Sequence, residues 1–298
     1  GAAFTYQRTM VVGPQKTGKG PYSASQVAFE AVGPSVFAGW ASGGESYRCS
    51  ENGCECGFEW RYEHGEPMGI RHPSPLIQIG AFSEDQARNI YAPLKFSMDN
   101  GPLRKLLAAR QGFTRILGLS GGDDADRIDV VTSAAKSRLG NPISDAEQDE
   151  GGLYTSSNGM LSFADTQARG AAGMGGRVHV TTNAWDPTED SYAQKTYEDG
   201  AEDTFVFFRN PDLEPSLLDE NGRPLSFLSK RNRRRIFEWV YEGSWWVNLD
   251  SIESEAAKLI KRGDPAQAER FFGNRLVQGL GAWLPEGVWA GAYKGLVT

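Results

Sequence analysis

A glycine-rich segment near the start of the chain holds the residues best suited to chemistry. Residues 13–20, Gly-Pro-Gln-Lys-Thr-Gly-Lys-Gly, directly follow a short apolar run at residues 9–12. They match the pattern G-x-x-x-x-G-K, in which glycines let backbone N–H groups turn toward phosphates and the lysine reaches the β- and γ-phosphates. The pattern predicts a phosphate-binding loop between a strand and a helix, with Lys19 as its catalytic lysine. The expected nucleotide-binding residues are Gly13, Gln15, Lys16, Thr17, Gly18, Lys19 and Gly20.

Gly20 departs from this pattern, because Ser or Thr usually follows the lysine and its hydroxyl binds Mg²⁺. The sequence leaves the replacement open: Ser23 could supply a hydroxyl, or water could fill the position. Taken alone, the segment is also compatible with an ordinary glycine-rich turn.

Two adjacent acids, Asp149 and Glu150, follow a candidate strand at residues 143–148. A carboxylate at the end of a strand can hold Mg²⁺ through its water shell, and a second can orient and deprotonate an attacking water. We therefore expect Asp149 to bind Mg²⁺ and Glu150 to be the general base. Residues 144–148 are more polar than a central strand normally is, so a solvated loop is the alternative.

A third polar group ends another candidate strand. Residues 177–180 lead into Thr181, Thr182 and Asn183. Side chains at such a position can contact the γ-phosphate or the attacking water and couple hydrolysis to a neighbouring subdomain. The three elements in this order predict ATP and Mg²⁺ as ligands.

Short apolar runs of strand length alternate with helical segments, which predicts a mainly parallel sheet flanked by helices. A helix is expected at residues 83–98, capped by Ser83, and Pro93 should kink it or end it early. Past about residue 213 the pattern becomes helical, at residues 229–241, 249–261 and 265–276. The predicted fold is an α/β P-loop NTPase of the ASCE type, with a core at residues 1–212 and a helical lid at 213–298. The strand-like runs are residues 9–12, 76–79, 128–131, 178–180 and 205–208.

Composition excludes several classes of protein. The chain has 298 residues, 39% hydrophobic and 23% charged, which is typical of a globular protein. A net charge of −7 argues against coating nucleic acid with the whole surface, but not against a local contact. Neither a membrane-spanning run nor a signal peptide is recognisable, so we expect a cytoplasmic protein without a membrane partner. The first residue is Gly1, as expected of a fragment.

The chain resembles the ATPase domain of the large terminase subunit of tailed phages, of the kind found in phages of actinobacteria. The motifs that carry this resemblance span most of the chain. They are VGPQKTGKG at residues 12–20, SPLIQI at 74–79, SAAKSRLG at 133–140, DEGGLY at 149–154, TTNAWDP at 181–187 and ERFFGNR at 269–275.

The resemblance implies a motor that hydrolyses ATP to drive double-stranded DNA into a preformed capsid. Such motors act as a ring, expected to be a pentamer, on the portal in the host cytoplasm, with a small terminase subunit as a partner. The roles given above to Lys19, Asp149 and Glu150 carry over, and Thr181, Thr182 and Asn183 become the coupling motif. Arg138 is similar in placement to the arginine that acts in a neighbouring subunit's site. A structural ion pair is the alternative for Arg138.

The family also has a nuclease domain after the ATPase domain and an adenine-holding segment before the loop. No acid cluster follows the helical segments here, so no nuclease activity is expected of this chain. The adenine-holding segment also has no counterpart before the loop, which predicts weak nucleotide binding.

Two other clusters are open to different interpretations. Residues 230–235 carry five basic side chains at the start of a helix, suited either to phosphate or to neutralisation by nearby acids. Cys49, Cys54 and Cys56, with His64, could bind zinc, but the spacing is poor for a zinc site and free thiols in a loop are the favoured interpretation.

Two other functions are compatible with the sequence. The first is another nucleic-acid-dependent P-loop ATPase, although neither a second motor domain nor a DNA-reading module is recognisable. The second is a non-catalytic module that binds the portal or the small terminase subunit and keeps a degenerate nucleotide site. Gly20 and the polar strand before Asp149 are the features that favour this second alternative.

Overall fold

The computed structural model describes residues 5–122, 125–132 and 141–279. The strands are β1 (Arg8–Val12), β2 (Val36–Trp40), β3 (Ser46–Arg48), β4 (Glu59–Arg61), β5 (Pro67–Ile70), β6 (Leu76–Ala81), β7 (Leu107–Arg110), β8 (Phe113–Ile116), β9 (Arg127–Thr132), β10 (Asp145–Asp149), β11 (Arg177–Thr182) and β12 (Thr204–Phe208). The helices are α1 (Lys19–Val32), α2 (Glu84–Asn100), α3 (Met160–Ala172), α4 (Tyr192–Asp199), α5 (Lys230–Val240), α6 (Leu249–Lys261) and α7 (Pro265–Gly273).

Eight strands form one central sheet in the order β12-β1-β11-β10-β6-β9-β8-β7. The first six are mutually parallel, and β7 and β8 add an antiparallel hairpin at one edge. Helices α1 and α2 pack on one face, and α3 and α4 pack on the other. Strand β11 lies between β10 and β1, the strand that leads into the glycine-rich loop. An additional strand at the position of β11 is typical of ASCE-type folds. The predicted fold class is confirmed.

Helix α2 begins where the sequence predicts, because the Ser83 hydroxyl accepts a hydrogen bond from the backbone N–H of Gln86 (3.3 Å). The predicted early end at Pro93 is wrong, since the helix continues to Asn100. Proline removes only the intrahelical bond to the carbonyl four residues earlier, that of Asn89. Leu94 and Met98, which follow Pro93, are buried, and their packing stabilises the second half of the helix.

Strand β10 is polar and yet central, which shows that the solvated-loop alternative is wrong. All five of its residues are buried. Their polar groups face others from adjacent elements: Gln148 Nε2 donates to Gln167 Oε1 (3.2 Å), and Asp145 lies 3.3 Å from His179 Nε2. Buried polar groups of this kind are stable only with partners. The partners come from α3 and β11, which follow β10 in the sequence and pack beside it in the fold.

His179 is the centre of a buried network between α1, β10 and β11. Its Nδ1 lies 2.6 Å from the Thr9 hydroxyl, and Glu30, Asp145 and Glu147 surround it. Burial lowers the pKa of His179, but Asp145 and the other carboxylates outweigh this effect and raise the pKa to about 9. Burial and the charge of Asp145 likewise raise the pKa of Glu30 to about 7.

The helices α5, α6 and α7 form a separate apolar cluster. The aromatic residues Phe237, Tyr241 and Phe272 pack inside it. Trp245 and Trp246 do not, because both are exposed. Within the described ranges, no helix combines the length and the apolar character needed to span a bilayer.

The basic cluster at the start of α5 is partly used inside the fold. Arg233 is buried and pairs with Glu253 (2.6 Å), and Arg234 pairs with two exposed acids. The interpretation that nearby acids neutralise the basic cluster is therefore correct for these two residues. Lys230 and Arg231, at the first turn of the helix, are exposed.

We predict that His179→Gln removes much of the pH dependence of stability in alkaline solution. A folded pKa of about 9 against 6.5 stabilises the protein below pH 6.5, and this contribution is lost as pH rises through 9. The difference corresponds to about 3 kcal/mol. Urea unfolding at about pH 6.5 and about pH 9.5 measures it, with the exposed His64→Gln as control. If the free energy of unfolding falls by the same amount between these two pH values in wild type and His179→Gln, His179 is not protonated in the folded protein at pH 6.5.

Candidate nucleotide-binding site

The carboxyl ends of three parallel strands meet at one edge of the sheet. Val12 of β1 is opposite Thr182 of β11, and Thr181 is opposite Asp149 of β10. In open parallel sheets, ligands bind outside these strand ends. The register therefore brings the loop after β1, the acids after β10 and the polar group after β11 to one place.

The loop between β1 and α1 surrounds the Lys19 ammonium group. Gly18 and Lys16 adopt left-handed backbone conformations (φ 91° and 72°), which turn the chain into the helix. Lys19 Nζ donates to the carbonyls of Gly13 (2.7 Å) and Pro14 (3.0 Å), and to Asn183 Oδ1 (2.9 Å). Burial lowers the pKa of Lys19, and the charges of the carboxylates at the end of β10 oppose that effect.

Asp149 is nearly buried at the end of β10. One carboxylate oxygen accepts a hydrogen bond from the Thr181 hydroxyl (3.0 Å), and the other lies 3.5 Å from Asn89 Nδ2. Burial raises the pKa of Asp149, and the hydrogen bonds from Thr181 and Asn89 oppose this. The carboxylate is thus fixed in direction and surrounded by oxygen and amide groups.

Glu150 follows in a left-handed conformation (φ 59°), which ends the strand. Its two oxygens accept hydrogen bonds from Asn183 Nδ2 (3.2 and 3.1 Å). Burial raises the pKa of Glu150, and the Lys19 charge opposes it. Asn183 therefore contacts both the lysine and the carboxylate, through opposite ends of one amide.

Thr182 supports the turn after Glu150. Its hydroxyl accepts from the backbone N–H of Gly152 (2.9 Å) and donates to the carbonyl of Asn183 (2.8 Å). A Cβ atom on Gly152 would lie 2.6 Å from this hydroxyl, so the close approach requires glycine. Thr181 and Thr182 are both engaged in holding the site together.

A cavity of about 430 Å³ lies where these groups meet. It includes most of the predicted residues: Gln15, Lys16, Gly18, Lys19, Gly20, Asp149, Glu150 and Asn183. An adjoining cavity of about 410 Å³ is lined by the predicted Gly13 and Thr17, and also by aromatic side chains of α1 and β12. The aromatic residues are Tyr22, Phe205 and Phe207.

Two further sequence-based candidates are Arg138 and Ser23. Arg138 falls in residues 133–140, outside the described part of the chain. Ser23 is fully buried beside Glu147 and does not line the cavity, so the structure does not place it where a replacement hydroxyl would be needed.

Sequence analysis missed Asn89 and Trp246, which also line the cavity. Trp246 belongs to the segment between α5 and α6, and its indole Nε1 donates to the carbonyl of Lys16 (2.9 Å). The Tyr241 hydroxyl donates to the carbonyl of Gln15 (3.0 Å), and the N–H of Gln15 donates to the carbonyl of Phe271 (2.8 Å). The helical part thus holds the loop by its main chain.

The position of α2 explains why residue 20 is glycine. A Cβ atom on Gly20 would lie 2.4 Å from the carbonyl oxygen of Asn89, a distance that backbone atoms cannot tolerate. Pro93 has no N–H to bond that carbonyl within the helix, so the oxygen has no intrahelical i+4 partner. Helix α2 therefore excludes any side chain at residue 20 and brings Asn89 beside Asp149 instead.

Solved structures with a similar fold include phage large terminases. The large terminase of bacteriophage HK97 aligns with 91% of this chain and 47% of its own, at a TM-score of 0.58 and 13% identity. The chain shares its fold with a phage large terminase. It spans about half the length of the large terminases that it matches.

A large terminase from a thermophilic bacteriophage is a more distant match. It aligns at a TM-score of 0.43 and 14% identity, over 79% of this chain and 46% of its own. The complex of that terminase with ADP aligns at 0.41 and 15%, over the same shares. No protein-family model and no curated protein matches the chain.

We predict that Gly20→Ala destabilises the protein by about 1–3 kcal/mol, because the new Cβ atom must displace α2. Helix propensity alone predicts the opposite sign, a gain of about 1 kcal/mol. Gly173→Ala is the matched control, since its φ of −61° and nearest contacts of 3.8 Å accommodate a methyl group. Denaturant unfolding distinguishes the two, and a stabilised Gly20→Ala variant would refute the close approach of α2.

Proposed function

We propose that this chain is a Mg²⁺-dependent ATPase and acts as the motor part of a phage large terminase. The observation that carries the proposal is the convergence of Lys19, Asp149, Glu150 and Asn183 on one cavity beside the phosphate-binding loop. A lysine in a glycine-rich loop and two carboxylates at the end of one strand are groups that phosphoryl transfer uses.

The two adjoining cavities suit the two ends of a nucleotide. Residues of the loop and Lys19 line the cavity that would hold the β- and γ-phosphates. The aromatic side chains of Tyr22, Phe205 and Phe207 line the other cavity, where a purine base could stack. Phosphates arriving at Lys19 would replace the two loop carbonyls that now accept its hydrogen bonds.

The residues present fit a magnesium ion, because a carboxylate and an amide side chain, both able to supply oxygen ligands, lie side by side at the cavity. Asp149 offers a carboxylate, and Asn89, whose Nδ2 now lies 3.5 Å from that carboxylate, would offer its amide oxygen after rotation of the side-chain amide. When bound, Mg²⁺ neutralises the negative charge of the phosphates. Thr181 keeps the Asp149 carboxylate in position.

Glu150 is the proposed general base. Asn183 holds its carboxylate with two hydrogen bonds, so the group is oriented before a water molecule arrives. Burial raises the pKa of Glu150 and makes its carboxylate a stronger acceptor for the proton of that water. Because Asn183 also contacts Lys19, loss of a phosphate near Lys19 would change the hydrogen bonds of Asn183 and thereby the positions of Glu150 and the end of β11.

The wider role is supported by the fold shared with the HK97 protein. We propose that the chain drives double-stranded DNA into a capsid in the host cytoplasm, as a ring, expected to be a pentamer, on the portal, with a small terminase subunit as partner. Arg138 is the proposed arginine that reaches a neighbour's nucleotide. The exposed Lys230 and Arg231 are available to DNA phosphates or to a neighbouring subunit.

We predict that Glu150→Gln lowers ATP turnover by about 10²–10⁴-fold while nucleotide affinity changes little, because the proton acceptor is lost and the phosphate contacts remain. Phosphate release and binding of a fluorescent ATP analogue measure the two effects. The exposed Glu189→Gln, near the same site, is the control. A rate of ATP turnover by the wild-type chain that increases more than in proportion to protein concentration would support a site completed by a neighbouring subunit. Wild-type turnover in Glu150→Gln would exclude the proposed base.

We predict that Asn89→Ala weakens binding of the metal–nucleotide complex about tenfold and leaves metal-free nucleotide binding unchanged. Mn²⁺ binding in the presence of an ATP analogue, followed by electron paramagnetic resonance, measures the metal directly. Asn100→Ala, the same change on the exposed end of the same helix, is the control. Equal Mn²⁺ affinity in Asn89→Ala and wild type would show that Asn89 does not replace the missing hydroxyl.

A further inference from the structure

The three cysteines of the chain meet in space, although their spacing in the sequence is irregular. The Sγ atoms of Cys49, Cys54 and Cys56 all lie within 4.8 Å of one another. No disulfide joins any two of them, and they form a cluster that their spacing does not reveal. His64, the residue considered with them as a ligand, is not part of this group.

The backbone around the thiols is folded to bring them together. Cys49 begins a single 3-10 turn after β3, and Gly53 ends that turn in a left-handed conformation (φ 79°). The N–H of Cys54 then donates to the carbonyl of Cys49 (3.0 Å), which closes the chain on itself. The N–H of Phe58 donates to Cys56 Sγ (3.4 Å), an interaction that orients the sulfur.

The segment that carries the cysteines has little core of its own. Its two strands, β3 and β4, have three residues each, and the aromatic side chains of Phe58 and Trp60 are about half exposed. Units this small usually need a disulfide or a metal to supplement their apolar burial. Cys49 and Cys54 pack against the apolar cluster beneath α2, so a link between the thiols would attach the segment to the main sheet.

A disulfide would use two of the three sulfurs and leave the third without a role. Zinc uses all three, because thiolates at mutual contact distance are its preferred ligands and it binds four groups in a tetrahedron. We propose that Cys49, Cys54 and Cys56 bind one Zn²⁺ as three thiolates, with water at the fourth position beside the exposed Cys56. Binding releases three protons, one from each thiol, and involves no electron transfer.

The expected role of the site is structural. It lies between two short strands that connect α1 to β6, on the chain segment that spans residues 41–66. Lys105, just before β7, pairs with Glu55 between the second and third cysteines. This contact gives the segment a second anchor beside the start of β7.

The test is the metal content of the full chain, expressed with Zn²⁺ and purified under reducing conditions. We expect about one zinc per chain by mass spectrometry of the metal, and about a tenfold or greater loss after dialysis of Cys49→Ser, Cys54→Ser or Cys56→Ser. Replacing the metal by Co²⁺ in the wild-type chain should give the visible bands of a tetrahedral site and a thiolate charge-transfer band. Ser50→Ala, in the same turn, and His64→Ala should keep the metal.

Several results would overturn the site. The first two concern the wild-type chain: three free thiols and no zinc after incubation with Zn²⁺, or a mass lower by two hydrogens, which reveals a disulfide. The others are a different metal in place of zinc and full zinc retention in the cysteine variants. The cobalt spectrum needs no variant, so it decides the question even if a serine substitution prevents folding. Limited proteolysis gives an independent readout, because a chelator should speed cleavage within residues 41–66 and leave the rest of the chain resistant.

Discussion

The partly buried ammonium group of Lys19 is the constraint on which the rest of the site depends. An ammonium group has three N–H donors, and burial is tolerable only when all of them are used. Two donors are satisfied by carbonyls of the loop itself, and the third by Asn183 at the end of β11. The fold therefore has to place β11 directly beside β1. The same amide then holds Glu150, so the position of the lysine determines that of the carboxylate.

Much of this arrangement was predictable from the sequence, because it is encoded locally. The loop and the polar group after residue 180 each follow a recognisable strand, and parallel strands end at one edge. The fold class followed from the alternation of strands and helices. Strand β10 was harder to predict, since its polar residues are compatible with a central position only through partners on other elements, such as Gln167 and His179.

Other parts of the site had no local signal at all. Asn89 lies in the middle of an amphipathic helix, and nothing around it in sequence indicates that α2 crosses the first turn of α1. Gly20 looked like a defect in a motif, whereas the structure shows it as the contact that lets two helices approach. The three thiols likewise converge through a turn whose geometry the spacing does not reveal. In each case the missing information is a tertiary distance.

The attachment of the helical part to the loop has a further consequence. All three hydrogen bonds, from Trp246, from Tyr241 and to Phe271, use main-chain atoms of residues 15 and 16. These hydrogen bonds do not depend on which side chains residues 15 and 16 carry. Substitutions at residues 15 and 16 can alter the contacts of the loop with a ligand without breaking these main-chain hydrogen bonds, so ligand binding and the attachment of the helices are separable under mutation.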